Sequence, residues 1–142
     1  MLKAPGTAFV VVAAPEPDAL REASFFVDRL SAEQMPLAGV LINRVHFAAP
    51  GLTASAAEGA ADRLAGLETT DARSHRSAAL AEAALRVHAA LATTAESDRR
   101  MARRFFAAHP TVPVVEVAAL AGDVHDLDGL RQIATLLAPA PR

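Results

Sequence analysis

Three short runs of this chain are rich in valine and isoleucine, and they restrict the folds that it can adopt. They cover Thr7–Ala14, Leu37–Val45 and Val112–Val117. The first two are almost continuously apolar, a pattern typical of strands that are covered on both faces, as in a parallel α/β sheet. The runs therefore predict three parallel strands in the interior of a layered fold.

The segment between the first two strands has the spacing of one amphipathic helix. Pro17 suits the first turn of a helix, and the apolar residues that follow recur every three or four positions. The residues predicted to face the core are Leu20, Ala23, Val27 and Leu30. Strand, helix and strand joined by short connections predict a right-handed βαβ unit.

The rest of the chain predicts three more helices. A helix over Thr53–Leu67 is followed by a long helical segment from Asp71 to Ala108, and a last helix runs from about Asp126 to Leu137. The long segment precedes the third strand, and its predicted buried stripe is Leu80, Ala84, Val87 and Leu91, continued by Phe105. The last helix is predicted to face inward with Leu127, Leu130, Ile133 and Leu137.

Together these elements predict an α/β fold of about three parallel strands flanked by helices. Residues 1–142 are expected to form a single α/β segment, in which residues 138–142 are a disordered tail. The apolar strands resemble central strands, which have a neighbouring strand on each side, and a sheet of only three strands cannot give all of them two neighbours. We therefore expect the neighbouring strands to come from sequence outside this chain or from a partner.

Composition excludes several functions. The formal net charge is −2 and Trp and Tyr are absent, which argues against nucleic acid as a partner. Without cysteine there is no thiol catalysis and no thiolate metal site. Lys3 is the only lysine and follows no glycine-rich run, so the chain contains no P-loop. The apolar run Ala8–Ala14 is too short to span a bilayer, and a cytoplasmic location is expected.

Asn43 and Arg44 close the second predicted strand. An asparagine at the carboxyl end of a strand can present its amide to the hydrogen-bonding edge of a purine. Alternatively, the side chain bonds the local backbone and shapes the exit loop.

Three other groups of polar residues have two possible roles each. Glu16 and Asp18 follow the first strand, where they could approach a ligand or complement a helix dipole. The run from Asp123 to Asp128 could hold a metal or simply begin a helix. Four arginines of the long helix could bind an anion or a partner, or form a solvated face, and these are Arg99, Arg100, Arg103 and Arg104.

Three ordered motifs resemble the C-terminal portion of bacterial anion-transporting ATPases, the arsenical-pump-driving family. They read TAFVVVAAPEPDALREASFFVDRL, MPLAGVLINRVH and AAHPTVPVVEVAALAGDVHDLDGL. That family also includes the ATPase that targets tail-anchored membrane proteins. The resemblance implies part of a three-layer P-loop NTPase fold that dimerises around ATP.

The resemblance also implies roles for particular residues. Asn43 would contact adenine, and the loop after the third strand would close over the base. The Pro15-Glu16-Pro17 loop would lie near the nucleotide and the dimer contact. The implied nucleotide-binding residues are Asn43, Arg44, Ala118, Ala119, Leu120, Ala121 and Gly122. ATP or ADP with Mg²⁺ is implied by the family only.

This chain departs from the family in two respects. Ala118 stands where the family commonly has proline, and the absence of cysteine excludes the dimer-bridging Cys-x-x-Cys zinc site of some members. The family's Walker A lysine lies upstream of the matched region, so ATP hydrolysis by this chain alone is not expected. A missing or separately encoded P-loop segment would be its partner, in a homo- or heterodimer. The alternative is a stand-alone α/β interaction module that does not bind nucleotide.

Overall fold

A computed structural model describes residues 6–68 and 71–138 and confirms the predicted α/β class. The sheet contains β1 (Phe9–Ala13), β2 (Leu37–Val45) and β3 (Val114–Ala118). The helices are α1 (Pro17–Ala32), α2 (Ala54–Ala65), α3 (Ala72–Ala108) and α4 (Leu127–Leu137). The second strand has the predicted bounds, and the long helix precedes the last strand as expected.

The sheet is open, and its three strands are parallel in the order β1-β2-β3. Strand β2 is central, and Leu41 pairs with Val12 of β1 and with Val115 of β3. Because the strands are parallel, their carboxyl ends lie at the same edge of the sheet.

The described chain divides into two compact units. One unit holds the sheet, α1, the C-terminal end of α3 from Asp98 onward, and α4. The other unit is His46–Ser97, which contains α2 and the greater part of α3. Within this second unit, the Arg86 guanidinium bridges Glu82 of its own helix and Asp62 of α2, at 2.9 and 3.3 Å.

Asp71 caps the start of α3. One of its carboxylate oxygens accepts hydrogen bonds from the backbone N–H groups of Arg73 and Ser74, and the other accepts one from the Ser74 hydroxyl at 2.6 Å. These bonds, led by the one from the Ser74 side chain, lower the pKa of Asp71 because they favour its charged form.

The core of the sheet-containing unit lies on one face of the sheet. The four residues predicted to face inward from α1 are all buried there, as expected. Three of them pack in one cluster with residues of β2 and α3, and its members include Leu20, Ala23, Val27, Val40, Ile42, Ala102 and Phe105. This apolar cluster is the main source of stability for the unit, because burying side chains of this size stabilises a fold by roughly 1.5–3 kcal/mol each.

The opposite face is open along β1, so the prediction that the strands are covered on both faces is wrong for this strand. Val10 and Val12 are 57% and 60% exposed, and Val115 of β3 is also exposed. Successive side chains of a strand point to opposite faces, so a single packed layer covers only every second residue. On this open side, α4 packs beside β3.

The predicted buried stripe of α3 is wrong apart from Phe105. Leu80 and Val87 are 73% and 69% exposed, and Ala84 and Leu91 are exposed as well. The buried apolar positions are Ala89, Ala92, Ala95, Ala102 and Phe105, and Asp98 is buried as well. An alanine-rich helix carries more than one apolar stripe, and its small side chains permit the closest packing, so hydrophobicity alone did not identify the packed face.

The prediction for the last helix also fails in part. Leu127, Leu130 and Leu137 are exposed, and only Ile133 is half-buried. The residues have the amphipathic spacing of a helix, but the sheet beneath α4 is too narrow to cover the whole stripe. Of the predicted disordered tail, only Ala138 lies within the described residues.

None of the helices within residues 6–68 and 71–138 is both long enough and apolar enough to cross a membrane.

Gln34 adopts a left-handed conformation at the end of α1, with φ of 54°. The N–H of Gln34 donates to Ser31 O and the N–H of Met35 donates to Leu30 O, which is the Schellman pattern. Glycine is the residue usually found at this position because it has no Cβ to crowd the backbone.

We expect Gln34→Gly to raise the free energy of unfolding by about 0.5–1 kcal/mol, since it removes left-handed strain. Urea denaturation measures the change. Ser31→Gly is the matched control and should destabilise, because Ser31 lies inside the helix. A loss of stability in Gln34→Gly would contradict the assignment of strain to this position.

Gly39 allows β2 and β3 to approach closely. A Cβ at this position would lie 2.7 Å from the carbonyl oxygen of Pro113, which also accepts the Val40 N–H at 2.8 Å. Because the obstructing atom is backbone, the two strands would have to separate to admit a methyl group.

Gly39→Ala should therefore lower the free energy of unfolding by about 1–3 kcal/mol. Gly59→Ala provides the control, because the nearest atom to a Cβ there is 3.6 Å away and alanine favours the helix by about 0.5–1 kcal/mol. Thermal unfolding of both variants should give shifts of opposite sign. Equal shifts would show that the β2–β3 contact is not tight.

Candidate functional site

A cavity of about 660 Å³ lies at the carboxyl ends of β2 and β3. Ligands of parallel α/β sheets commonly bind at this edge. Its lining combines the end of β2, the end of β3 with the loop that follows, and one face of α4. The lining residues are Leu41, Asn43, Arg44, Val117, Ala118, Leu120, Ala121, Gly122, Asp123, Val124, Leu130 and Ile133.

The end of β2 carries an irregularity that brings two consecutive side chains to the cavity. The pairing with β3 shifts between Ile42 and Val45, and Arg44 has φ of 62°, in the left-handed region. In a regular strand, residues 43 and 44 would point to opposite faces. The bulge breaks this alternation, so that Asn43 and Arg44 both line the cavity.

The amide of Asn43 makes a local bond. Its Oδ1 accepts the backbone N–H of Arg44 at 2.9 Å, which is the backbone-shaping role considered from the sequence. That bond leaves the Nδ2 donor of the same amide, and the second lone pair of Oδ1, for a ligand. The two interpretations of Asn43 are therefore compatible, because the bond that shapes the exit loop also fixes the orientation of the amide.

The loop after β3 supplies most of the other predicted residues. Ala118, Leu120, Ala121 and Gly122 line the cavity, whereas Ala119 does not and instead donates its N–H to Val45 O at 2.9 Å. This bond ties the start of the loop to the end of β2. The structure thus brings together six of the seven predicted residues at one site.

The sequence patterns do not predict that α4 contributes to this site. Leu130 and Ile133 provide an apolar wall, and Asp126 begins the helix by accepting the Gly129 N–H at 2.7 Å. The amphipathic spacing of this helix was visible in the sequence, but nothing there placed its apolar face over the ends of β2 and β3. Asp123 adds a carboxylate to the lining.

The lining is apolar on its walls and polar at a few points. The apolar walls are provided by Leu41, Leu130 and Ile133, over the fully buried Val117. Asn43 offers an amide, and Arg44 offers a cation. Small-molecule sites commonly have this composition, with volumes of roughly 300–1,000 Å³. The cavity can therefore accept a planar heterocycle that carries an anionic substituent.

The acidic residues after β1 lie outside this cavity. Asp18 pairs with Arg21 at 2.7 Å, and both side chains are exposed. This pair, in the first turn of α1, matches the helix-dipole interpretation rather than ligand binding.

The candidate metal run after β3 is engaged in local bonds. A ring nitrogen of His125 bonds Asp123 O at 2.9 Å, and Asp126 is the cap of α4. Among residues 6–68 and 71–138, no group of three or more His, Asp or Glu side chains could hold a metal ion.

The arginines at the end of α3 are exposed, and of the four only Arg104 borders a second, smaller cavity of about 230 Å³ between α1 and α3. The other residues of that cavity are mainly apolar and belong to the packing of the two helices.

No described protein family matches the sequence, and no curated protein is significantly similar to it. The resemblance to anion-transporting ATPases consequently depends on the three quoted motifs and stays a prediction.

Asn43 gives the site its first test. Asn43→Ala removes the acceptor of the Arg44 N–H and should lower the free energy of unfolding by about 1 kcal/mol. Asn43→Asp retains an oxygen at that place and should be close to wild type at neutral pH. Chemical denaturation of the two variants measures the difference. Equal stability of both would indicate that the Asn43 bond does not hold the bulge.

Proposed function

We propose that this chain is the C-terminal, adenine-side and dimer-contact segment of a cytoplasmic ATPase of the anion-transporting or targeting type. The observation that carries the proposal is the cavity at the ends of β2 and β3, which joins Asn43 to the loop of residues 118–122. The family resemblance of the motifs implies the same pairing. The two segments are more than 70 positions apart in sequence, since they begin at residues 43 and 118.

The cavity suits an adenine ring. The Asn43 Nδ2 can donate to a ring nitrogen of the base, and an oxygen lone pair can accept from its exocyclic amine. The apolar residues Leu41, Leu130 and Ile133 provide surface for the faces of the ring. In this role the chain binds and orients the base.

Phosphate chemistry would have to come from another segment. Phosphoryl transfer requires a phosphate cradle with its lysine, a metal and a positioned water. Lys3 is the only lysine, and residues 6–68 and 71–138 contain no group of three or more His, Asp or Glu side chains that could hold a metal ion. The proposal therefore assigns the cradle, the Mg²⁺ ligands and the hydrolytic step to a P-loop segment that is separately encoded or precedes this sequence.

The open face of the sheet supports the need for such a partner. Val10 and Val12 of β1 and Val115 of β3 are exposed on the same face of the sheet, on either side of β2. The outer edge of β1 is unpaired and carries no charged residue. Exposed apolar surface of this kind marks interaction sites, and an uncharged strand edge is a template for further pairing.

The same surface favours a second candidate function. A stand-alone interaction module would dock a protein partner on the open face and would have no use for the cavity. Nucleotide binding therefore distinguishes the two candidates.

Calorimetric titration of the chain with ADP tests the proposal. We expect weak but saturable binding, with release of no phosphate from ATP above background. Asn43→Asp should weaken binding about tenfold while the fold stays stable, because it exchanges the Nδ2 donor for a carboxylate.

Two outcomes would contradict the proposed function. The first is the absence of ADP binding by a folded chain, which would favour the interaction module. The second is robust ATP turnover by the chain alone, which would contradict the requirement for a separate P-loop segment. Arg21→Gln, on the exposed surface of α1, serves as the control that should leave ADP binding unchanged.

A further inference from the structure

Arg44 has an unusual backbone for an arginine. Its φ is 62°, a region that residues with a Cβ seldom adopt, and the side chain is exposed at the cavity. Within residues 6–68 and 71–138, no carboxylate lies within ion-pair distance of its guanidinium. Within these residues the guanidinium has no ion-pair partner, whereas the backbone N–H of Arg44 donates to Asn43 Oδ1 at 2.9 Å.

The conformation of Arg44 has a consequence for the cavity. Without it, the alternation of the strand would turn residue 44 to the face opposite Asn43. With it, an amide and a cation stand next to each other on one wall. Glycine would adopt the same backbone without strain but would bring no charge. Strain retained at a ligand-facing residue points to a role in binding.

We propose that Arg44 forms an anion subsite in this cavity, which takes a phosphate of the nucleotide whose base contacts Asn43. This inference rests on the proposed function. Arginine suits the role because its planar fork donates two parallel hydrogen bonds to phosphate oxygens. Asp123, a carboxylate on the loop side of the lining, would repel the phosphate, so the anion lies on the β2 side.

The subsite makes Arg44 a determinant of selectivity between nucleotides and nucleosides. The cavity should prefer ADP to adenosine, and the preference should depend on the guanidinium. The apolar walls and Asn43 would contribute equally to both ligands, because they contact only the base.

Arg44→Gly tests the inference, because it should make the fold more stable while it weakens the binding of ADP. Loss of the left-handed strain should raise the melting temperature by a few degrees. Loss of the guanidinium should raise the dissociation constant for ADP about tenfold and leave that for adenosine unchanged. Arg44→Lys should retain part of the preference for ADP, since it keeps the positive charge.

Gln34→Gly is the matched control. Within the described residues, Gln34 and Arg44 are the two non-glycine residues with positive φ, and Gln34 does not line the cavity. It should raise the melting temperature and change neither dissociation constant. Unchanged ADP affinity in Arg44→Gly would overturn the inference, as would equal losses for ADP and adenosine. If wild type binds neither ligand, the proposed function and the inference both fail.

Discussion

The alternation of side chains along β2 is the constraint on which both the core and the candidate site depend. Among the described strands, β2 alone has a neighbour on each side. Val40 and Ile42 turn to the packed face, and Leu41 turns to the face that α4 partly covers. The same alternation would separate Asn43 from Arg44, and the bulge at the end of the strand is what brings them together. The core follows the regular geometry of the strand, whereas the site requires a departure from it.

Sequence patterns predicted the elements of the sheet-containing unit and the packed face of α1, but not the packed face of α4 or the open face along β1. The apolar spacing of α1 leaves only one stripe, and Leu20, Ala23, Val27 and Leu30 are all buried. In α3 the abundance of alanine gives several apolar stripes, so the sequence does not show which one is packed. The larger residues Leu80 and Val87 are exposed. Local spacing identifies a helix, but the choice of the packed face depends on contacts that are distant in sequence.

The candidate site was predicted in part for a similar reason. The family resemblance implied that Asn43 and the loop of residues 118–122 contact the same base, and all but Ala119 of these residues line the cavity. The left-handed backbone of Arg44 and the wall that α4 provides could not be predicted from the sequence. Neither an arginine nor an amphipathic spacing indicates such a position. Ala119 shows the converse, because a residue within a correctly placed loop can turn its backbone to the neighbouring strand instead of the ligand.

Gly39 lets the start of β2 lie close to the residue that precedes β3. Its missing side chain lets β2 approach the Pro113 carbonyl, at the end of the strands opposite the cavity. The close pairing continues in register from Val40 to Ile42 and then shifts before Val45 pairs with Ala118. Gly39 therefore keeps the two strands tightly paired at one end, and the cavity lies at the other end, where this regular pairing is lost.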